Sequence, residues 1–304
     1  MQNLPPSEIE IDYINQKKES SLKTFIENCE KAYQNQIEDM INDIISLPKI
    51  KIILLTGPSS SGKTTTSNKI MQLLKNHDIP SVVVSMDDFF IDRDKTPMFE
   101  DGTYDFENVN SLDIPFFNAF MKDILTHNKA SMPIFDFVSG KRKGYKDIEI
   151  EKDGIVIIEG IHALNPIFQT NHDEEVYRVY VCPDTNFIKD NKTIIKPSEL
   201  RRMRRLIRDR FHRGANTQST LKQWKYVCEG EKLYIEPYKM NANYWVNTTH
   251  NYEPMLYKKY LPQFLDQSQT SNQIKESLCH FEEIDISNLP ADSLLWEFLD
   301  GLKQ

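Results

Sequence analysis

"IKIILLTGPSSSGKTTTSNKI", Ile50 to Ile70, decides the fold. Its opening is a short β-branched apolar run without polar alternation, the pattern of a strand buried on both faces, and it stops at Gly57. Its close continues into "MQLLKNH" with Ile70, Leu73 and Leu74 on one side of a helix. Between them "GPSSSGKT" (Gly57–Thr64) fits G-x-x-x-x-G-K-[ST] in the strand–loop–helix context that this pattern requires. Glycines let such a loop curl until successive N–H groups point inward, and the positive end of the helix adds to them, so the loop cradles phosphate. The candidate phosphate-binding residues are Gly57, Ser59, Ser60, Ser61, Gly62, Lys63, Thr64 and Thr65. Lys63 is placed to reach the β- and γ-phosphates of ATP, and the Thr64 hydroxyl to ligate Mg²⁺.

Further apolar runs follow: "SVVVSMDD" (Ser81–Asp88), "GIVIIEG" (Gly154–Gly160), "VYRVYV" (Val176–Val181) and "YWVNTT" (Tyr244–Thr249). Helical segments separate most of them, so the expected fold is α/β, a P-loop NTPase-type parallel sheet with helices on both faces. Ligands in such sheets sit beyond the carboxyl ends of the strands. Asp87 and Asp88 end the second run and Glu159 the third, which makes Glu159 the expected Mg²⁺ partner of Thr64. One of the two aspartates is then suited to accept a proton from an attacking hydroxyl. Ahead of the sheet, residues 1–20 read as a polar arm or loosely packed helix. From Lys23 to Ser46 a stripe of Ile37, Met40, Ile41, Ile44 and Ile45 predicts a helix. The expected organisation is a helical extension over 1–48, a P-loop domain over 49–250 and a helical extension over 251–304 packed on it.

Composition narrows the field. The 304 residues carry a net charge of −8, which disfavours general binding to nucleic acid or acidic membranes. Cys29, Cys182, Cys228 and Cys279 are scattered without metal-ligand spacing, and no run approaches the length of a membrane span. The expectation is a cytoplasmic protein with no nucleic-acid or membrane partner. No Asp-x-x-Gly switch or Asn-Lys-x-Asp guanine reader is present, and Glu159 is followed by Gly160 rather than preceded by an aspartate. Small-molecule phosphoryl transfer remains.

Taken as ordered blocks, these residues resemble the uridine kinase/phosphoribulokinase family of P-loop kinases, over about Ile50 to Thr249. "SMDDFF" resembles the strand ending in the family's catalytic aspartate and selects Asp87. "YDFENVNSLD" resembles its substrate loop, with Glu107 where an aspartate usually holds ribose hydroxyls. "MPIFDFVSGKRK" resembles the segment lining the nucleobase pocket. The tyrosine and histidine that family members use there are replaced by Phe135 and Gly140. Phe106, Phe135 and Phe137 would form an apolar slot, with Arg142 and His162 as further substrate-binding candidates and Asn165 beside them. "EGIHALNP" and "SLLWEFLDG" resemble a bacterial-type uridine kinase-like subgroup, whose frequent N-terminal threonyl-tRNA-synthetase-like region is not recognised in this sequence.

"LRRMRRLIRDRFHRG", Leu200 to Gly214, holds seven arginines and one aspartate. On a helix, Leu200, Met203, Ile207 and Phe211 form an apolar stripe, and Arg201, Arg204, Arg205 and Arg208 share one shoulder beside it. The family's lid, near 200–215 here, brings arginines onto the transferring phosphate. The resemblance implies that role for Arg205 and Arg208, with Arg213 next. A further arginine usual after the lid glycine is Ala215 here. The expected activity is transfer of the ATP γ-phosphate to a primary hydroxyl, that of a nucleoside such as uridine or cytidine. A different sugar, sugar phosphate or metabolite, and a non-catalytic nucleotide-binding regulator, stay open. Family members are often oligomeric, which leaves a homo-oligomer open as well.

Overall fold

The computed structural model describes residues 6–47, 49–168 and 172–303. The chain begins with strand β1 (Ser7–Glu10), helix α1 (Ile11–Ser46), β2 (Ile52–Thr56), α2 (Lys63–Asn76), β3 (Ser81–Ser85) and α3 (Ile114–His127). A hairpin, β4 (Lys129–Asp136) and β5 (Lys141–Glu149), precedes β6 (Ile155–Glu159) and β7 (Val176–Cys182). A second hairpin, β8 (Thr185–Lys189) and β9 (Lys192–Ile195), leads to α4 (Pro197–His212) and α5 (Thr217–Tyr234). Strand β10 (Tyr244–Asn247) and helices α6 (Glu253–Tyr260), α7 (Gln269–Cys279) and α8 (Trp296–Leu299) complete the fold.

Five strands form a parallel sheet in the order β10-β7-β2-β6-β3. Alternation along β2 explains its two-sided burial: Ile53 and Leu55 join the core on one face, and Ile52 and Leu54 join that on the other. Helices α1, α2, α4, α6 and α7 cover the first face together with Leu294, Leu295 and Phe298 near the C-terminus. Helix α3 and the β4–β5 hairpin cover the second. The expected α/β architecture is observed. Register matters more than layering for the site: Leu55 pairs with Glu159, and Glu159 with Ser85. The phosphate loop, the acid of β6 and the turn after β3 therefore leave the sheet along one edge.

The N-terminal reading needs correction. Residues 1–5 and Pro48, part of the predicted extension, and Gln304 lie outside the described residues. From Ser7 onward the segment is no loose arm. β1 pairs in parallel with β8, and α1 starts at Ile11 and runs through a kink at Ser21. Ile11 and Ile14 are fully buried in the same core as β2 and α8, whereas Ile45 of the predicted stripe is exposed. Too few apolar residues precede Lys23 to declare a periodicity. Replacing Ile14 with Ala should therefore destabilise the protein by about 2–5 kcal/mol, the range for buried aliphatic truncation. Denaturant titration checks this, and a change below about 0.5 kcal/mol, the range of ordinary surface substitutions, would mean the segment is dispensable.

Candidate active site

Phosphate-loop geometry begins with two glycines. A methyl on Gly57 would lie 2.0 Å from the Val181 carbonyl oxygen, and Gly62 caps α2 with φ +92, a conformation that favours glycine. Between them, three successive carbonyls are held from outside. Arg201 Nη1 donates to Ser59 O (3.2 Å), Arg204 Nη1 to Ser60 O (3.4 Å) and the Thr248 hydroxyl to Ser61 O (2.7 Å). In a trans peptide the following N–H points the opposite way, so pinning these oxygens outward turns the amide edges toward the concave side. The buried Ser60 and Ser61 hydroxyls have no hydrogen-bond partner among the described residues. This cradle fits phosphate groups.

Arg204 has a different job from the one its helical face suggests. It is fully buried, donates bidentately to Glu253 (2.8 and 2.8 Å) and also reaches Thr248 O (2.7 Å). Arg201, also buried, grips both oxygens of Glu231 (2.8 and 2.7 Å). Of the four arginines on that shoulder, two brace the loop's back and two face its mouth. Arg205 Nη1 donates to Ser59 Oγ (2.8 Å), and Arg208 Nη2 approaches the same oxygen at 3.5 Å. Buried Asp209 gathers Arg205, Arg208 and Arg213, at 3.1, 4.0 and 3.2 Å. Burial and the neighbouring Arg213 lower the Arg208 pKa to about 10.

Three carboxylates, Asp87, Glu107 and Glu159, feel the charge of Lys63. β3 ends at Ser85, and the aspartates sit in the following 3₁₀ turn, Met86–Phe89, rather than on the strand itself. That turn separates their tasks. Asp88 accepts from the Phe135 N–H (3.4 Å) and so anchors β4, while Asp87 opens into the cleft. Crowding by protein raises the Asp87 pKa, against the pull of Lys63, Arg213 and Arg208. Glu159 accepts from Ser85 Oγ (3.0 Å); burial raises it to about 7 despite Lys63, and Asp87 adds repulsion. Glu107 is raised to about 7 by the same desolvation, opposed by Arg205 and Lys63. Its backing is Gly230 of α5, where an added methyl would meet Glu107 Cβ at 2.4 Å.

The aromatic candidates also converge. Phe90 contacts Phe106 (6.0 Å between centroids) and Phe135 (5.9 Å), and Phe135 contacts Phe137 (5.3 Å). Phe106 and Phe137 keep 43% and 55% exposure, leaving an open apolar slot. Gly140 lies in the tight β4–β5 turn at φ +69, beneath Arg93. Arg142 is not turned to the slot. It pairs with Asp113, the α3 N-cap, at 3.0 Å and lies over the Phe116 ring. His162 is 3% exposed, and burial lowers its pKa to about 4 against the opposing pull of the Glu107 backbone. It is therefore neutral and stands edge-on to Tyr234. Among the described residues no three His, Cys, Asp or Glu side chains are grouped to hold a metal ion. A cation at Thr64 and Glu159 would need phosphate oxygens or water to complete its shell, as Mg²⁺ accepts.

A family model described as the phosphoribulokinase/uridine kinase family matches residues 52–252. The chain belongs to that family. Curated relatives of this family kinase include the uridine kinases of Ureaplasma parvum, 28% identical over 63% of this chain and 85% of the relative, and Borrelia turicatae, 30% identical over 64% and 84%. Among solved structures, phosphoribulokinase from Rhodobacter spheroides is similar, at 13% identity and a TM-score of 0.46, covering 82% of this chain and 98% of the other. The family kinase is a phosphotransferase with an alcohol group as acceptor and a small-molecule substrate. No helix among its described residues is long and apolar enough to cross a membrane.

Two predictions follow from buried charge. Arg204→Met should destabilise the kinase by about 3–5 kcal/mol by orphaning Glu253, and the double variant Arg204→Met/Glu253→Leu should recover part of that loss. Denaturant midpoints for the two variants read this out; a double variant no more stable than Arg204→Met would contradict the pairing. Glu159 gives a pH signature. Its pKa is raised from 4.5, so its favourable contribution is complete below about 4.5 and is lost as pH rises through about 7. Glu159→Gln mimics the neutral form and should stabilise the ligand-free protein at pH 8, with a ceiling of about 3 kcal/mol, the gap closing below pH 4.5. Thermal unfolding of the pair across pH measures it, and a gap independent of pH would refute the cause.

Proposed function

We propose that this family kinase transfers the γ-phosphate of ATP to the primary hydroxyl of a nucleoside, with uridine or cytidine as the leading acceptors. The carrying observation is that Asp87, Glu107 and Glu159 all feel the charge of Lys63, Asp87 also that of Arg208 and Arg213 and Glu107 that of Arg205, with an open aromatic slot nearby. In this reading the loop amides and Lys63 hold the phosphates. Asp87 orients the hydroxyl and takes its proton, a role that its raised pKa suits. Glu107 holds the sugar hydroxyls, and Phe106, Phe135 and Phe137 receive the flat base. Arg205 and Arg208 stabilise charge on the transferring group, with Arg213 beside them. Mg²⁺, held by Thr64 and Glu159, would neutralise phosphate charge when bound.

A second reading changes only the acceptor. Phe135 and Gly140 offer a base no polar side chain, which supports a different alcohol, since selectivity rests on such hydrogen bonds. A phosphorylated acceptor draws less support, because Arg142 is paired with Asp113 and Lys143 with Asp136 (3.0 Å).

The test is ATP consumption against nucleosides, sugars and sugar phosphates. Asp87→Asn should cut turnover by about 10²–10⁴-fold with little change in ATP binding. Because crowding by protein raises the Asp87 pKa and the base must be ionised, wild-type kcat/KM should fall with decreasing pH from a point above the ordinary aspartate range. Undiminished turnover by Asp87→Asn would remove the assigned base. Turnover with a non-nucleoside alone would select the second reading.

A further inference from the structure

Beyond the region matched by the family, the C-terminal segment closes one wall of the phosphate loop. Leu294 Cδ1 lies 2.6 Å from where a methyl on Gly62 would stand, and Asp292 approaches Lys69 of α2 at 3.6 Å. Between these contacts, Glu297 Oε2 accepts from both the Thr65 N–H (3.1 Å) and the Thr65 hydroxyl (2.8 Å). Thr65 is the third residue of α2, directly after Lys63 and Thr64. N–H groups in the first turn of a helix are anion donors, and in this loop type they take nucleotide phosphates. A carboxylate therefore stands on a donor pair suited to phosphate.

We propose that Glu297 is an internal competitor of the nucleotide: it seats its carboxylate on Thr65 in the ligand-free protein and must leave that seat for a phosphate to take it. The inference rests on the nucleotide-binding reading above. One donor pair cannot serve both anions, and their like charges repel. Displacement does not require the segment to undock. Leu294, Leu295, Phe298 and Leu299 are buried and anchor it, whereas Glu297 is only half-buried. The C-terminal segment thereby sets the nucleotide affinity of a loop formed more than two hundred residues earlier in the chain.

Calorimetric titration of ADP, without added divalent metal and at fixed ionic strength, into wild type, Glu297→Gln and Glu297→Ala tests this. Glu297→Gln keeps an acceptor for Thr65 without the charge, so it guards against a misfolded Ala variant. Both variants should bind ADP roughly ten-fold more tightly, the scale of a favourably placed anion at a helix N-terminus. The ligand-free Ala variant should also melt below wild type, because α2 loses its capping anion. Equal or weaker ADP binding by the variants, with wild type binding well, would overturn the inference and leave the kinase reading intact. If no form binds ADP, both fall together.

Discussion

The site depends on one buried ion pair. Arg204 and Glu253 are both withdrawn from water, and the guanidinium still reaches the Ser60 carbonyl and Thr248. Taking two charges out of water is costly, and geometry as complete as this is what offsets it. The loop needs such a brace. A chain segment whose N–H groups all face one way must send its carbonyls the other way, and those oxygens need donors behind them. Arg201, Arg204 and Thr248 supply them from α4 and from the turn after β10. The phosphate cradle is thus assembled by elements far from it in sequence.

Electrostatically, the cleft is divided. Acids whose pKa values are pushed up by burial feel the charge of Lys63, and a separate group of arginines shares the single carboxylate of Asp209. Neither half is balanced by its own neighbours alone. That arrangement suits a polyanion with an accompanying cation better than a neutral ligand, and it shows why an acidic chain concentrates arginine in one helix.

Much of this was legible beforehand, for reasons that differ by element. β2, β3 and β6 are apolar runs that end at their chemistry, so Lys63, Asp87 and Glu159 could be placed on one edge before any register was known. The split among the arginines could not. Helical periodicity gives a face but not a depth, and what separates Arg204 from Arg205 is a partner 49 residues away on α6. The pairing of Arg142 is hidden from the sequence for a similar reason, since its partner Asp113 belongs to the cap of α3. The β8–β9 hairpin had a usable signal that went unread: Asp190 and Asn191 sit at φ 51 and 60, and such a pair favours a two-residue turn. Gly230 was another, because a glycine inside a helix generally marks a close packing contact.

That glycine has a geometric consequence. Gly230 lies against Glu107, the acid assigned to the acceptor, and the next residue, Glu231, grips Arg201 beneath the donor loop. Consecutive Cα atoms are 3.8 Å apart, and a helix does not stretch. In the proposed reaction the two substrates' seats would therefore be measured from one turn of α5, a common ruler for the gap that a phosphoryl group must cross.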